Sequence, residues 1–252
     1  MKKILLTLTL FLFVPVAAQA AESSVKIPDH KFSFDGPFGT YDRASLQRGF
    51  QVYQQVCSAC HGLDYLSYRN LGDLGYNADE VKAIASQFTV MDGPNDEGEM
   101  FERVALPSDR FVNPYPNEKA ARYANNGAYP PDMSLIAKAR KNGSDYVYAI
   151  LTGYKEAPEG MTLGEGQYWN KYMAGHKIAM APPLSDDIVP YEDGTQTTME
   201  QYAHDVSTFL MWAAEPKMED RKRMGVKVIL FLLVFASIMY AVKKKLWKEL
   251  KS

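Results

Sequence analysis

The chain has 252 residues, enough for one large domain or two small ones, and its formal net charge is −2. The charge is unevenly distributed, because residues 21–216 hold 16 basic and 27 acidic side chains, a net charge of −11. A segment this acidic repels nucleic acid, which excludes nucleic acid as a partner, and it attracts basic proteins. Simple solubility explains the same charge equally well.

Residues 1–20 have the pattern of a secretory signal peptide. Two lysines precede the apolar residues 4–16, and an Ala-Gln-Ala cleavage site ends at Ala20. An N-terminal membrane anchor is the alternative, but the apolar stretch is short and Pro15 interrupts it. We therefore expect cleavage after Ala20 and export of the rest of the chain to an oxidising compartment.

An amphipathic helix is predicted immediately before the two cysteines of the chain. Leu46, Phe50, Tyr53 and Cys57 recur at the spacing of one helical face. Gly49 lacks a side chain next to Phe50, which allows a second helix to cross this one closely. The stripe itself indicates a packed core face.

Residues 57–61 read Cys-Ser-Ala-Cys-His, the C-x-x-C-H signature of covalent haem attachment. Two residues on a helical turn between Cys57 and Cys60 match the separation of the two haem vinyl groups, and His61 is then held under the ring as an iron ligand. A thioredoxin-like pair is one alternative, but it is expected near a βαβ pattern that the flanking sequence lacks. A structural zinc site is the other alternative, and it needs four ligands. Its additional candidates are His30, His176 and His204.

Long insertions are predicted between His61 and Met180, one of the candidate iron ligands downstream, because 118 residues separate the two. Met91–Gly98 and Leu106–Asn117 are poorly periodic and rich in Pro, Gly and Asn. These segments are predicted as ordered loops around a helical core. Insertions of this kind are natural surfaces for partner subunits.

A second axial ligand is expected, because haems that carry electrons usually have both axial positions filled. The residues favour Met180 modestly, since Pro182 and Pro183 stiffen the loop that presents its thioether. His176 is the competitor, and bis-His ligation would give a lower reduction potential. Further candidates are Met133, Met161 and Met173.

Residues 198–215 predict a helix that ends before Pro216 and crosses the helix preceding the cysteines. Its apolar stripe consists of Tyr202, Val206, Phe209, Leu210 and Ala213.

A single membrane anchor is predicted near the end of the chain. Residues 225–242 are apolar except for Lys227, and basic clusters flank them. Such a segment is just long enough to span the hydrocarbon, and Lys227 can extend its ammonium group to the headgroups. We expect a transmembrane helix over 224–242, a periplasmic domain over 21–220 and a cytoplasmic tail over 243–252.

Several stretches beyond the haem motif are shared with one family. They are RGFQVYQQVCSACH (48–61), NNGAYPPDMSLIAKAR (125–140), DYVYAILTGY (145–154), IAMAPPL (178–184) and the C-terminal anchor. With these stretches the chain resembles the cytochrome c1 family, the haem subunits of ubiquinol–cytochrome c reductase (cytochrome bc1) complexes, in the form found in Gram-negative bacteria.

The resemblance implies a mainly α fold, a class I cytochrome c-like helical domain with long loop insertions plus one C-terminal transmembrane helix. It implies one haem c, attached through the two cysteines, with His61 and Met180 as the axial iron ligands. It also suggests that Arg140 and Tyr146 lie near a haem propionate, to which a guanidinium and a phenol can donate hydrogen bonds. Surface salt bridging or packing is the alternative for both residues.

The resemblance further implies an electron-transfer subunit in the bacterial inner membrane that performs no bond chemistry and is not an enzyme by itself. The subunit would accept an electron from the Rieske iron–sulfur protein and pass it to a c-type cytochrome, in a homodimeric complex with cytochrome b. A tethered shuttle is the first alternative, but residues 213–223 form only a short linker. A haem enzyme or gas sensor, which needs an open iron position, is the second.

The acidic domain suits a basic electron acceptor. The candidate docking charges are Asp92, Asp96, Glu97, Glu99, Asp186, Asp187, Glu192 and Asp193.

Overall fold

The computed structural model describes residues 25–249, so the predicted signal peptide over 1–20 and residues 250–252 of the predicted tail lie outside it. The described chain is mainly α-helical, as predicted. Its α-helices are α1 Arg43–Gln55, α2 Ala78–Ala85, α3 Glu118–Ala124, α4 Ile136–Ala139, α5 Gly143–Thr152, α6 Met199–Ala214 and α7 Met218–Glu249. Short 3-10 helices cover Cys57–Ala59, Tyr68–Leu74 and Ala174–His176. Two antiparallel strand pairs are β1 Thr89–Asp92 with β2 Phe101–Val104, and β3 Tyr168–Trp169 with β4 Lys177–Ile178.

Helices α1 and α6 cross closely in the hydrophobic core. At the crossing a Cβ atom on Gly49 would lie 2.0 Å from the carbonyl oxygen of Asp205, so only glycine allows this approach. Phe50 and Tyr53 of α1 both pack against Phe209 of α6, with ring centroids 5.7 Å apart in each pair. The crossing predicted from Gly49 and the two apolar stripes is confirmed.

Side-chain caps determine where both crossing helices begin. The Asp42 carboxylate accepts a hydrogen bond from the N–H of Ala44 at 3.0 Å, and the Thr198 hydroxyl accepts one from the N–H of Gln201 at 3.2 Å. These bonds satisfy amide donors that the first helical turn leaves free. Helix α6 thereby starts and ends within one residue of the predicted range 198–215.

A buried carboxylate joins the two helices. The Asp205 side chain is 0% exposed and accepts hydrogen bonds from the Ser45 hydroxyl at 2.6 Å and from Arg48 Nε at 2.8 Å. Arg48, whose side chain is 14% exposed, also pairs with Asp193 at 2.7 Å. The buried charge is thus fully partnered, which is the condition under which burial of a carboxylate is tolerated.

The N-terminal segment packs on α5 and α6 through its rings. His30 stacks on Tyr148 with centroids 3.8 Å apart, and Phe32 stacks on His204 at 5.1 Å. His30 Nε2 lies 2.9 Å from His204 Nδ1, within hydrogen-bond distance. Burial lowers the pKa of both imidazoles, which favours their neutral forms, and one ring can then donate a hydrogen bond to the other.

The loop prediction for Met91–Gly98 is partly wrong, because the segment begins inside β1 and forms a turn only after Asp92. Charge pairing stabilises this hairpin: Arg103 of β2 pairs with Asp92 of β1 and with Asp109 at 2.6 Å. Leu106–Asn117 consists of loop and turn apart from one isolated bridge, in agreement with the prediction.

Helix α7 follows α6 after only the residues 215–217 and runs unbroken from Met218 to Glu249. Its apolar stretch has a mean hydropathy of 2.3, and none of that stretch is buried against the rest of the described chain. The helix is long and apolar enough to cross a membrane. The predicted span 224–242 lies inside α7. This helix starts earlier, at Met218, directly after the three residues that connect it to α6.

Candidate functional site

The two cysteines lie on one tight turn at the end of α1. Helix α1 ends at Gln55, and the 3-10 helix Cys57–Ala59 follows it. The backbone N–H groups of Cys60 and His61 both donate to the carbonyl of Cys57, at 3.1 and 2.9 Å. This turn presents two thiols and one imidazole within five residues.

The His61 ring is held in one orientation. Its Nδ1 lies 2.7 Å from the carbonyl oxygen of Pro131, and a carbonyl can only accept, so Nδ1 carries the proton. The Nε2 lone pair is therefore available for a metal. The Tyr53 hydroxyl donates to the His61 carbonyl at 2.9 Å, and burial lowers the pKa of the imidazole.

Hydrogen bonds join the Tyr-Pro-Pro-Asp segment, residues 129–132, to the residues that follow His61. Met133 N–H donates to the Gly62 carbonyl at 2.9 Å, and the Asp132 carboxylate accepts from the N–H of Asp64 at 2.8 Å. These bonds place the Pro131 carbonyl against the imidazole. The sequence identified the segment as distinctive but not Pro131 as the hydrogen-bond acceptor of His61.

The thiol environment differs from that of a thioredoxin-like pair. Burial raises the pKa of Cys57 to about 12, whereas an oxidoreductase needs a thiol whose pKa is lowered. The Cys60 sulfur lies 3.8 Å from the Tyr115 hydroxyl, a weak contact. Within residues 25–249 no group of three or more His, Cys, Asp or Glu side chains is arranged to hold a metal ion.

Met180 is half-buried against the hydrophobic core, on the loop that follows β4. The Tyr154 hydroxyl donates to the Met180 carbonyl at 3.1 Å, which connects this loop to the end of α5. Asn170, fully buried, donates to the Ile150 carbonyl at 2.8 Å and holds the β3–β4 hairpin on the same helix. Tyr154 lies in a stretch that the sequence highlighted, but nothing in the pattern indicated its contact with Met180.

His176, the competing ligand, is engaged in other contacts. Its ring stacks on Trp169 with centroids 5.4 Å apart, and its Nδ1 lies 3.2 Å from the Asn170 carbonyl oxygen. The backbone of His176 has a positive φ of 60°, and the preceding residue, Gly175, also has a positive φ, of 73°. The imidazole is therefore held against the β3–β4 hairpin.

Arg140 and Tyr146 lie on either side of the start of α5. Arg140 is exposed and caps the C-terminus of α4, and among the described residues its guanidinium has no carboxylate partner. Tyr146 is half-buried in the first turns of α5, and its hydroxyl lies 3.6 Å from the sulfur of Met173. Arg140 keeps free N–H donors, and the Tyr146 O–H makes only a weak contact with a sulfur, so both side chains could donate a hydrogen bond to a carboxylate.

Two of the eight candidate docking charges are already paired inside the described chain. Asp92 pairs with Arg103, and Asp193 pairs with Arg48. Asp96, Glu97 and Glu99 are exposed on the β1–β2 turn without such an ion pair. Asp186, Asp187 and Glu192 are likewise exposed and outside such ion pairs in the described chain, so the turn is one of two equally acidic parts of the candidate docking surface.

Comparison with known proteins matches a model of the cytochrome C1 family to residues 32–250. "Cytochrome b/c1" of Bradyrhizobium diazoefficiens is 51% identical over 254 residues, which cover 92% of this chain and 37% of that protein. "Cytochrome c1 1, heme protein, mitochondrial" of Arabidopsis thaliana is 51% identical over 237 residues, which cover 94% of this chain and 77% of that protein.

"Cytochrome c1" of Rhodospirillum rubrum is 42% identical over 266 residues, which cover 99% of this chain and 98% of that protein. The chain thus spans little more than a third of the Bradyrhizobium relative and nearly all of the Rhodospirillum one. The family match also extends over α1, the cysteine turn, the Met180 loop, α6 and α7. The chain belongs to the cytochrome c1 family.

Proposed function

We propose that this chain is the haem-bearing electron-transfer subunit of a bacterial ubiquinol–cytochrome c reductase, with haem c attached through Cys57 and Cys60. The observation that carries the proposal is the turn of residues 57–61, where two thiols adjoin an imidazole whose Nδ1 faces the Pro131 carbonyl. In two relatives the printed names support the same role, since one is a cytochrome b/c1 and another a heme protein.

The donor set fits a c-type haem. Two thiols on one helical turn are the groups that form thioethers, and a neutral imidazole with a free Nε2 is the usual proximal ligand. When bound, haem iron supplies a one-electron couple. The chain's residues hold His61 in a single tautomer through Pro131 and hold its backbone through Tyr53, so the ligand needs no reorientation.

Met180 is the second axial ligand in this proposal. Its thioether sits on a loop attached to α5 through Tyr154, and His176 is committed to Trp169 and Asn170. A Met/His pair also suits a carrier of higher potential than a bis-His pair does. Arg140 and Tyr146 are proposed to donate hydrogen bonds to a haem propionate, because their donors are available on neighbouring elements.

The decisive experiment replaces Met180 with leucine and compares it with Met161→Leu, the same change at another half-buried methionine. We expect a large fall in reduction potential and carbon monoxide binding by the reduced Met180→Leu protein, with Met161→Leu behaving like the parent. Unchanged spectra in the Met180→Leu protein would mean that the sixth ligand is elsewhere. Ready carbon monoxide binding by the unaltered protein would favour a haem enzyme or gas sensor instead.

We propose that the chain works as a fixed relay from the Rieske iron–sulfur protein to a c-type cytochrome. The proposed complex also contains cytochrome b and is homodimeric. Its inner-membrane anchor is α7, with the haem domain on the periplasmic side. The three-residue connection between α6 and α7 supports a fixed subunit over a tethered shuttle. Extraction in mild detergent tests this: co-purification with a b-type cytochrome and an iron–sulfur protein is expected, and a lone haem protein would favour the shuttle.

Docking of a basic acceptor is proposed at the β1–β2 turn. Asp96, Glu97 and Glu99 are exposed there, and exposed charges act mainly on the rate of encounter. The rate of electron transfer to the acceptor should fall steeply with ionic strength, and less so after all three are changed to the corresponding amides. Salt-independent transfer by the parent protein would rule the docking idea out.

A further inference from the structure

A tight loop precedes α1 and carries a large apolar side chain at its tip. Thr40 N–H donates to the Ser33 carbonyl at 3.2 Å and closes the loop. Gly36 has a positive φ of 68°, and a Cβ on Gly39 would lie 2.1 Å from the carbonyl oxygen of Asp35, so the turn requires both glycines. The loop is therefore a compact, defined structure.

The base of this loop is buried, and its tip is not. Phe34 packs between Phe32 and Tyr41, with ring centroids 4.9 and 5.5 Å apart. The Asp35 carboxylate is exposed and accepts a hydrogen bond from the Phe32 N–H at 2.7 Å, at the base of the loop. Phe38 at the tip is 79% exposed, although phenylalanine is among the residue types most often buried.

The loop is bonded to the first turns of α7. Lys222 Nζ donates to the Phe34 carbonyl and, at 3.0 Å, to the Gly39 carbonyl on either side of the tip. Tyr41 N–H donates to the Glu219 carboxylate at 2.8 Å, just after the loop. Phe38 is thus placed relative to α7 by bonds to its immediate chain neighbour Gly39 and to Tyr41.

This attachment puts the tip near the level where α7 becomes apolar. The exposed apolar side chains of α7 start at Met224, two residues beyond Lys222, which is about 3 Å along the helix axis. The polar interfacial layer of a bilayer is about 5 to 7 Å deep on each side of the hydrocarbon. A loop attached at Lys222 therefore lies in that layer when α7 spans the membrane.

We propose that Phe38 inserts into the lipid at the headgroup–acyl boundary and acts as a second membrane contact beside α7. A single spanning helix leaves the attached domain free to tilt, and an off-axis apolar anchor restricts that tilt. The tip offers Pro37 and Phe38 to the lipid, and the nearest acidic side chain, Asp35, is exposed but hydrogen-bonded to the Phe32 N–H at the base of the loop. The proposal requires α7 to span the bilayer but is independent of the haem ligands.

Site-directed spin labelling of the full holo-chain in lipid nanodiscs tests the proposal. The chain has only Cys57 and Cys60, so once these are engaged by haem, Phe38→Cys provides a single labelling site. Tyr123→Cys, at a side chain that is 93% exposed on α3, is the control in water, and Phe231→Cys on α7 is the control in lipid.

We expect the label at position 38 to be more accessible to oxygen than to a water-soluble nickel chelate, as at position 231, and the reverse at position 123. Equal nickel accessibility at 38 and 123 would overturn the proposal. A label at 38 shielded from both reagents would also overturn it, because a protein partner and not lipid would then cover the tip. Lys222→Met, which removes the bonds to the loop, should raise nickel accessibility at 38 and leave the haem spectrum unchanged.

Discussion

Replacing Gly49 with alanine should force α1 and α6 apart. The added Cβ would lie 2.0 Å from the oxygen and 2.6 Å from the carbon of the Asp205 carbonyl, and 2.8 Å from Phe209 Cβ, whereas ordinary contact begins at 3.4 Å. Two of these atoms belong to backbone and cannot rotate away. The helices must therefore separate by about 1 Å along much of their seam.

The size of the effect follows from two opposing contributions. A gap of about 1 Å forfeits a quarter to a half of the dispersion attraction across the seam, and overpacking of this kind costs about 1–3 kcal/mol. Alanine returns about 0.5–1 kcal/mol through its better helix propensity. Because the obstruction is backbone, we expect a net loss of about 2 kcal/mol, or a midpoint lower by about 4–8 °C for a domain of this size.

The midpoint of thermal unfolding can be measured on the full chain in mild detergent, with circular dichroism as the signal. Gly72→Ala is the matched control, because no heavy atom lies within 4 Å of its added Cβ and its backbone is not left-handed. The control should melt at the parent temperature or slightly above it. If Gly49→Ala also melts within about 1 °C of the parent, the close crossing is not a constraint and the reasoning is refuted.

Asp205→Ala should lower the free energy of unfolding, measured by chemical denaturation, by about 3 kcal/mol, because it leaves Arg48 and the Ser45 hydroxyl without their buried partner. A loss under about 1 kcal/mol would contradict this. Tyr154→Phe should lower stability by about 1 kcal/mol and speed carbon monoxide binding to the reduced protein, because it frees the Met180 loop; unchanged binding would argue against a positioning role. Burial lowers the pKa of His30 and His204 from 6.5, so below that pH the unfolded chain binds more protons than the folded one and stability falls on acidification. His204→Gln should flatten the pH dependence of the melting temperature below about pH 6.5, and an unchanged slope would show that the lowered pKa of His204 does not contribute to it.

Local patterns in the sequence were sufficient for features that depend on neighbours along the chain. The C-x-x-C-H spacing, the stripes of α1 and α6, the role of Gly49 and the apolar stretch of α7 each depend on residues a few positions apart. The β1–β2 hairpin was missed because its short strands are charged and exposed, and Arg103 stabilises them through partners in two other segments. Strand pairing of that kind leaves little signal within one strand.

The sequence by itself predicted the C-x-x-C-H turn, the two amphipathic helices and the C-terminal apolar helix, because cysteine spacing and hydrophobic periodicity are local properties. Only the tertiary structure decided which groups surround the candidate ligands. The Pro131 carbonyl contacts the His61 ring from 70 residues away in the sequence, and the Tyr154 hydroxyl contacts the Met180 carbonyl from 26 residues away. Such contacts depend on how distant segments are brought together, and a carbonyl acceptor leaves no trace in residue type, since every residue carries one.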